Sequence, residues 1–233
     1  MKKILSYLIL LSFSVLALSG CGSIEKEQSI KDTPHQIGLK GQMSASVIGF
    51  DFDESYKKAD IIAQIKITQW LGEVDEEIER TIFKAKLEKT FKNNADDSLK
   101  EIKLVQTGNS NYTIKDYPLF KINDRLILYL VKTEMEGYGE VYSILGAHTG
   151  VFRIVNFDGH DYAIKQFGNC PELSEAIASA DNSKIKSTLL KNITNNDSAL
   201  FFSSPLNVFN ETYDLDKMDK LIEKQFSADK PAK

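Results

Sequence analysis

The chain has 233 residues, of which 42% are hydrophobic and 27% are charged, and this balance is typical of a folded globular protein rather than a disordered one. Its formal net charge is −4 at pH 7. A modestly acidic protein is not expected to bind nucleic acid or to adhere broadly to anionic lipid, since both need a basic surface. With only two cysteines, the fold is not expected to be a disulfide framework.

The N-terminal segment has the three parts of a secretory signal peptide. Lys2 and Lys3 form a basic start, an apolar run extends over residues 4–18, and small residues precede Cys21. The apolar run is too short to span a bilayer comfortably, because a spanning helix needs roughly 20 apolar residues. An uncleaved membrane anchor is the alternative interpretation.

The stretch Leu18-Ser19-Gly20-Cys21 resembles the lipobox of bacterial lipoproteins. The resemblance implies that residues 1–20 are a lipoprotein signal peptide and that the Cys21 sulfur carries a diacylglyceryl group with fatty chains such as palmitate. Two acyl chains anchor stably where one binds only marginally, since each buried methylene contributes about 0.8 kcal/mol. The mature protein is then expected on the outer face of the cell membrane, and its richness in Lys, Ile and Asn is typical of a Gram-positive source.

Cleavage before Cys21 would remove 20 of the 233 residues and leave 213, enough for one domain of ordinary to large size. The formal charge of the mature part becomes −6, because the removed segment carries Lys2 and Lys3 and no acids. Residues 21–42 are polar without a hydrophobic period, which predicts a flexible tether. A β-rich domain is predicted over residues 43–170, with a helical extension over residues 171–233.

The β-rich domain is predicted from apolar runs. Residues 61–68 and residues 81–91 alternate between apolar and polar, and the polar connection between them favours an antiparallel hairpin. Residues 126–131 form the one continuously apolar strand, which predicts a central position covered on both faces. Shorter strands are predicted over residues 43–52, 102–107, 141–145, 151–155 and 162–167, the last two joined through a hairpin at Asp158-Gly159.

The C-terminal part changes to a helical pattern. Pro171 suits the first position of a helix. Helices are predicted over residues 172–177, 183–193 and 215–226, with a short helical turn at residues 53–58 and an irregular stretch over residues 194–213. Strands followed by helices predict a mainly β, α+β protein: an antiparallel sheet or small barrel, then two or three C-terminal helices.

Four features of residues 59–132 follow in a fixed order. They are Ala59-Asp60 before a strand, a long second strand ending in Lys89-Thr90-Phe91-Lys92, a glycine-bounded third strand, and Asn123-Asp124 before the apolar strand. This order resembles the OB-type barrel of netrin-like modules and tissue inhibitors of metalloproteinases. The resemblance implies an OB-like barrel and, as one possible activity, inhibition of an envelope protease. Those modules carry disulfides, and the inhibitors chelate the metal of their target with an N-terminal cysteine, whose place is taken here by the tether.

The sequence motifs that carry common chemistries do not occur. A serine hydrolase of the elbow type needs Gly-x-Ser-x-Gly, which the sequence lacks. His148 and His160 are the histidines of the predicted folded part and lack metal-ligand spacing, so neither a metal nor another cofactor is expected. Cys170 is interpreted either as a nucleophile or, by preference, as a small buried residue.

The remaining signal is a group of aromatic residues near strand ends and loops. Aromatic anchors dominate interfaces, and barrels of this type bind ligands with a strand face and adjoining loops. The predicted binding face consists of Trp70, Tyr112, Tyr117, Phe120, Tyr138 and Tyr142. Packing in the core is the alternative for each of them.

The expected function is therefore a membrane-anchored, non-enzymatic binding or protein-interaction module. Its expected partners are the membrane, through lipidated Cys21, and an envelope protein or a small ligand. The alternatives are an extracytoplasmic hydrolase that uses Asp or Glu residues, and the protease inhibitor that the OB-type resemblance implies.

Overall fold

The computed structural model describes residues 41–43, 49–75, 77–94, 96, 98–168, 170–180, 182–193 and 209–228. All of them lie within a compact unit that spans residues 32–233. The predicted signal peptide, Cys21 and residues 22–40 of the predicted tether lie outside the described residues, so the lipid anchor stays a prediction.

The described residues form strands, α-helices and two 3-10 helices. The strands are β1 Gly41–Met43, β2 Ile61–Val74, β3 Arg80–Asn93, β4 Glu101–Thr107, β5 Tyr112–Ile114, β6 Arg125–Met135, β7 Gly139–Ile144, β8 Val151–Phe157, β9 His160–Gln166 and β10 Phe209–Asp214. The helices are α1 Phe52–Lys58, η1 Ala147–Gly150, η2 Pro171–Ala176, α2 Asn182–Ile193 and α3 Leu215–Ala228. The prediction of a mainly β, α+β protein with C-terminal helices is confirmed.

Eight of the described strands form one mixed sheet in the order β10-β9-β8-β6-β2-β3-β4-β7. Because β7 also pairs with β6, the strands β2, β3, β4, β7 and β6 close into a ring of pairings. The β4–β7 pair is parallel, and the other pairs of the ring are antiparallel. β8, β9 and β10 continue the sheet outside the ring as an antiparallel ribbon, and β1 pairs separately with β5.

The hairpin of β2 and β3 is long enough to pair with β6 near one end and with β4 near the other. Its register shifts at four places, and such bulges bend a strand and increase its twist. β6 pairs with residues 61–66 of β2, whereas β4 pairs with residues 80–86 of β3, at the opposite end of the hairpin. Staggered pairing of this kind is what allows a sheet to close on itself.

The apolar strand β6 lies at the centre of the sheet, as its sequence predicts. Leu126, Leu128 and Leu130 pack in one cluster with residues of β2, β3 and β4, which we call the ring core. Ile127 and Tyr129 point to the other face and pack in a second cluster, the helix-side core, which includes residues of α1, η2 and α3. Covering on both faces explains why this strand is continuously apolar.

The helices that cover the helix-side core are held by specific contacts. α1 begins after Asp51, whose carboxylate accepts a hydrogen bond from the Glu54 backbone N–H at 2.6 Å. α3 buries Met218 and Ile222 in the same core. Its Asp219 is 7% exposed and accepts hydrogen bonds from the Gln64 amide of β2 and the Lys89 ammonium of β3.

The β8–β9 hairpin is confirmed at the predicted turn. Phe157 pairs with His160, so Asp158 and Gly159 are the two turn residues. Both have positive φ, at 52° and 80°, the backbone of a type I′ turn that matches the twist of the strands.

Several elements differ from the sequence prediction. Residues 209–213, predicted as irregular, belong to β10, so the predicted helical extension contributes a strand to the sheet. The polar sequence of this segment does not indicate a strand, because the burial of Thr212 and Tyr213 depends on pairing with β9. The predicted helix at residues 172–177 is the 3-10 helix η2. Of the predicted strand over residues 43–52, only Met43 lies in a strand, β1. Residues 44–48 lie outside the described residues, residues 49–51 are irregular, and Phe52 begins α1.

Candidate functional site

The predicted aromatic binding face divides into two groups in the structure. Tyr117, Phe120 and Tyr142 are buried members of the ring core, where Tyr117 and Phe120 meet edge to face with ring centroids 6.0 Å apart. Trp70 is partly buried against the same core. Core packing, the alternative interpretation, therefore describes the three buried residues.

The other two aromatic residues lie elsewhere. Tyr138 packs against a small separate cluster with Ile82, Val105 and Val141, and Tyr112 is half-buried in β5. The structure does not bring these two together with the ring-core group in one cluster. A binding role for the half-buried Trp70, Tyr112 and Tyr138 stays a prediction.

A pocket of about 70 Å³ opens instead on the helix-side core. It lies where β6 changes its neighbour: β8 pairs with β6 up to Leu128, and β7 pairs with it from Leu130 onward. Tyr129 stands at this change of partner and lines the pocket. Gly150, between β7 and β8, also lines it, and a Cβ atom there would overlap the Leu145 carbonyl oxygen.

The walls of the pocket come from α1 and the segment before it, from the strands β6, β8 and β9, and from the start of η2. The segment before α1 and the start of α1 contribute aromatic side chains, and β8 contributes another: Phe50, Phe52 and Phe152. The polar lining consists of Ser55, Tyr129, Lys165, Cys170 and the solvent-exposed Asp51 and Glu172. An aromatic pocket with a few converging polar groups is the usual form of a small-ligand site.

Tyr129 brings an unpartnered hydroxyl to this pocket. The residue is 2% exposed, and its ring meets that of Phe52 edge to face at 6.0 Å between centroids. Among the described residues, its Oη atom has no hydrogen-bond partner. Burial raises the pKa of Tyr129 well above its ordinary value, so the hydroxyl stays protonated. An unpaired buried hydroxyl costs about 1–3 kcal/mol, which a ligand in the pocket could offset.

Lys165 is the buried cation of the pocket. It lies in β9 directly opposite Phe152 in β8, and its Nζ atom lies 4.5 Å from the centroid of that ring. The side chain is 8% exposed. Burial lowers the pKa of Lys165 to about 8, although Cys170 and Glu211 nearby act in the opposite direction. The protonated ammonium form therefore predominates at neutral pH, but it loses its proton at mildly alkaline pH.

Cys170 closes one side of the pocket as a protonated thiol. It is 5% exposed, and its Sγ atom lies 3.5 Å from the Glu172 Oε2 atom, to which it donates. Burial raises the pKa of Cys170 to about 12. Since the thiolate is the reactive form, the structure favours the interpretation of Cys170 as a small buried residue over that of a nucleophile.

Glu211 fixes the chain around Cys170. Its Oε2 atom accepts hydrogen bonds from the Cys170 backbone N–H, at 3.2 Å, and from the Tyr213 hydroxyl. The strand β10 is thus tied to the start of η2, and the position of Cys170 and Glu172 beside the pocket follows from this tie.

Sequence reasoning missed Tyr129 and Lys165. Tyr129 sits inside a continuously apolar run, where nothing distinguishes it from a core residue. The sequence did contain a sign that Lys165 points inward. Lys165 and Ala163 are two positions apart and therefore lie on the same face of β9, and Ala163 is fully buried. A lysine on the inward face of a strand is rare and suggests a partner. His160 is exposed at the start of β9.

Comparison with known proteins shows no match to a family model, to a curated protein or to a solved structure. Within the described ranges, no helix has the length and apolar character needed to cross a membrane. In the same residues, no three His, Cys, Asp or Glu side chains are grouped so as to hold a metal ion.

Proposed function

We propose that this chain is an extracytoplasmic lipoprotein, anchored to the outer face of the membrane through Cys21, and that its folded part is a non-enzymatic module that binds a small ligand. The lipobox-like stretch Leu18-Ser19-Gly20-Cys21 supports the anchor. The observation that carries the binding role is the buried, unpartnered hydroxyl of Tyr129 in a preformed aromatic pocket.

We further propose that the ring of β2, β3, β4, β7 and β6 is an OB-like barrel to which a β-ribbon has been added. The closed cycle of five pairings supports this, since OB-folds are five-stranded Greek-key barrels. The pocket lies at the junction of ring and ribbon, so the ribbon strands β8 and β9 supply part of its lining. We do not advance the hydrolase or the protease inhibitor, because no arrangement of the described residues favours either.

The anchor is tested by fractionating cells that express the wild-type chain or Cys21→Ala. We expect the wild-type protein in the membrane fraction, labelled by a fatty-acid analogue, and the variant to lose the label and the processing at this site. A variant that still matures and stays on the membrane would show that Cys21 is not the anchor.

The binding role is tested with a panel of small molecules and the lipidated protein in detergent. The panel contains anionic, neutral and cationic compounds of about the size that the pocket admits, and ligand-observed NMR reports which of them bind. We expect at least one class to bind and, in spectra that observe the protein, to perturb the signals of Phe152 and Lys165. Absence of binding by every class at millimolar concentration would refute the small-ligand function.

A further inference from the structure

We propose that the pocket binds a short-chain carboxylic acid as its anion, with the carboxylate held between the Tyr129 hydroxyl and the Lys165 ammonium. The inference rests on the ligand-binding function proposed above and names its ligand class. It is carried by three observations: the unpartnered Tyr129 Oη atom, the buried lysine in the same lining, and the size and aromatic walls of the pocket.

The hydrogen-bonding groups of the pocket favour an acceptor. The Tyr129 hydroxyl stays protonated, and the Lys165 ammonium has donors only. A carboxylate is an acceptor with two oxygens, so one oxygen can face each group. Hydrogen bonds to an ionised partner are roughly twice as strong as those between neutral groups.

The charges around the pocket also favour an anion. Asp51 and Glu172 line the pocket but are exposed to solvent; Asp51 already caps α1, and Glu172 already accepts a hydrogen bond from the Cys170 thiol. Glu211 already accepts hydrogen bonds from the Cys170 backbone N–H and the Tyr213 hydroxyl. Lys165 is the charge that lies in the low-dielectric interior, where its effect on a ligand is largest. A bound carboxylate would offset part of the free energy that burial of this ammonium costs.

The volume limits the chain length of the acid. One water needs roughly 10–15 Å³ of cavity volume, so a pocket of about 70 Å³ holds roughly five non-hydrogen atoms. Acids from acetic to butyric have this size. Their methyl and methylene groups would lie against the rings of Phe52 and Phe152, which bury apolar surface favourably.

The test compares three compounds with equal numbers of non-hydrogen atoms: propionate, propionamide and butylammonium. Isothermal titration at pH 6.5 with the lipidated protein in detergent measures each affinity. We expect propionate to bind at least tenfold more tightly than the neutral amide and the cation. Octanoate, which is too long for the pocket, should bind at least tenfold more weakly than propionate.

Two variants connect the affinity to the proposed residues. Tyr129→Phe and Lys165→Met should each weaken propionate binding about tenfold or more. Tyr117→Phe and Lys121→Met are matched controls, since Tyr117 is also a buried tyrosine, and burial also lowers the pKa of Lys121, yet neither lines the pocket. Both controls should bind like the wild type. If Lys165→Met fails to fold, Tyr129→Phe alone decides the result.

Each outcome separates the ligand class from the binding function. Propionate affinity that survives in both pocket variants would place the acid elsewhere and overturn the inference. Equal or tighter binding of propionamide or butylammonium would overturn the carboxylate class and leave the small-ligand function standing. Absence of binding by every compound, here and in the larger panel, would refute both.

Discussion

Two tyrosines in the same core should respond differently to loss of the hydroxyl: only one of the two losses should destabilise the fold. Tyr129 and Tyr213 both belong to the helix-side core. The Tyr213 hydroxyl donates to the carboxylate of Glu211, whereas the Tyr129 hydroxyl has no partner among the described residues. The substitutions Tyr129→Phe and Tyr213→Phe remove one oxygen atom each and leave the packing of the ring in place.

The expected magnitudes follow from the two environments. An unpaired buried hydroxyl costs about 1–3 kcal/mol, so Tyr129→Phe should leave the free energy of unfolding unchanged or raise it by about 1 kcal/mol. A hydrogen bond to a charged group contributes about 1.5–3 kcal/mol, so Tyr213→Phe should lower the free energy of unfolding by about 2 kcal/mol. The Cys170 backbone N–H would remain as a donor to Glu211 and moderate that loss.

Urea unfolding of ligand-free protein measures both values, with fluorescence of Trp70, the single tryptophan, as the signal. An unchanged slope with a shifted midpoint shows that stability has changed and not the unfolded state. Tyr213→Phe demonstrates that the assay detects the loss of one hydrogen bond. If Tyr129→Phe is destabilised by more than about 1 kcal/mol, its hydroxyl has a partner in the ligand-free protein, and the observation that carries the binding role fails.

Three further predictions concern Lys165, Asp219 and Cys170. The folded-state pKa of Lys165 is lowered to about 8 by burial, below that of an unfolded lysine, so the unfolded chain holds more protons between about pH 8 and 10, and stability should rise by up to about 3 kcal/mol across this window. Lys165→Met should remove that rise in urea titrations. The facing groups Tyr129, Cys170 and Tyr213, whose pKa values burial raises, act in the opposite direction and lower stability as the pH increases above about 9, so a rise that persists in Lys165→Met would contradict the burial of the Lys165 ammonium. Asp219→Ala should lower the free energy of unfolding by about 1–3 kcal/mol, because Gln64 and Lys89 lose their acceptor, whereas the exposed Asp216→Ala should change it little; equal effects would contradict the role of Asp219. Cys170, whose pKa burial raises to about 12, should react with iodoacetamide at pH 8 at least about a hundredfold more slowly when folded than in urea, and comparable rates would show an accessible thiolate.

Sequence periodicity was sufficient for most of the sheet. Alternation fixed the hairpin of β2 and β3, the continuous apolar run fixed β6, and Asp158-Gly159 fixed the turn between β8 and β9. These signals are local, because each depends only on residues within one strand or turn. β10 was missed, since its burial arises from pairing with β9 and not from an apolar pattern of its own.

The candidate site was not predictable in the same way. The aromatic residues near strand ends were a reasonable choice, but burial of Tyr117, Phe120 and Tyr142 depends on closure of the ring, a long-range event. The pocket needs β6, β9, α1 and η2 to meet, and no short segment of sequence encodes such a meeting. Lys165 illustrates the limit of local sequence patterns. Alternation along β9 predicts that its side chain lies on the inward face of the strand, but it does not predict which residues of other elements face it.

The position of the pocket follows from the way the sheet is built. A strand that pairs with one neighbour along its whole length leaves no gap in the sheet, but β6 pairs with β8 as far as Leu128 and with β7 from Leu130 onward. The two neighbours must diverge at Tyr129, and the connection between them turns back there through η1 and Gly150. Backbone pairing is kept, because the Tyr129 carbonyl accepts from the Leu145 backbone N–H at 2.8 Å. The side chain of Tyr129 is left at the fork of the sheet, where its hydroxyl has no hydrogen-bond partner among the described residues, so the same divergence that joins the ribbon to the ring also creates the opening where we propose that a ligand binds.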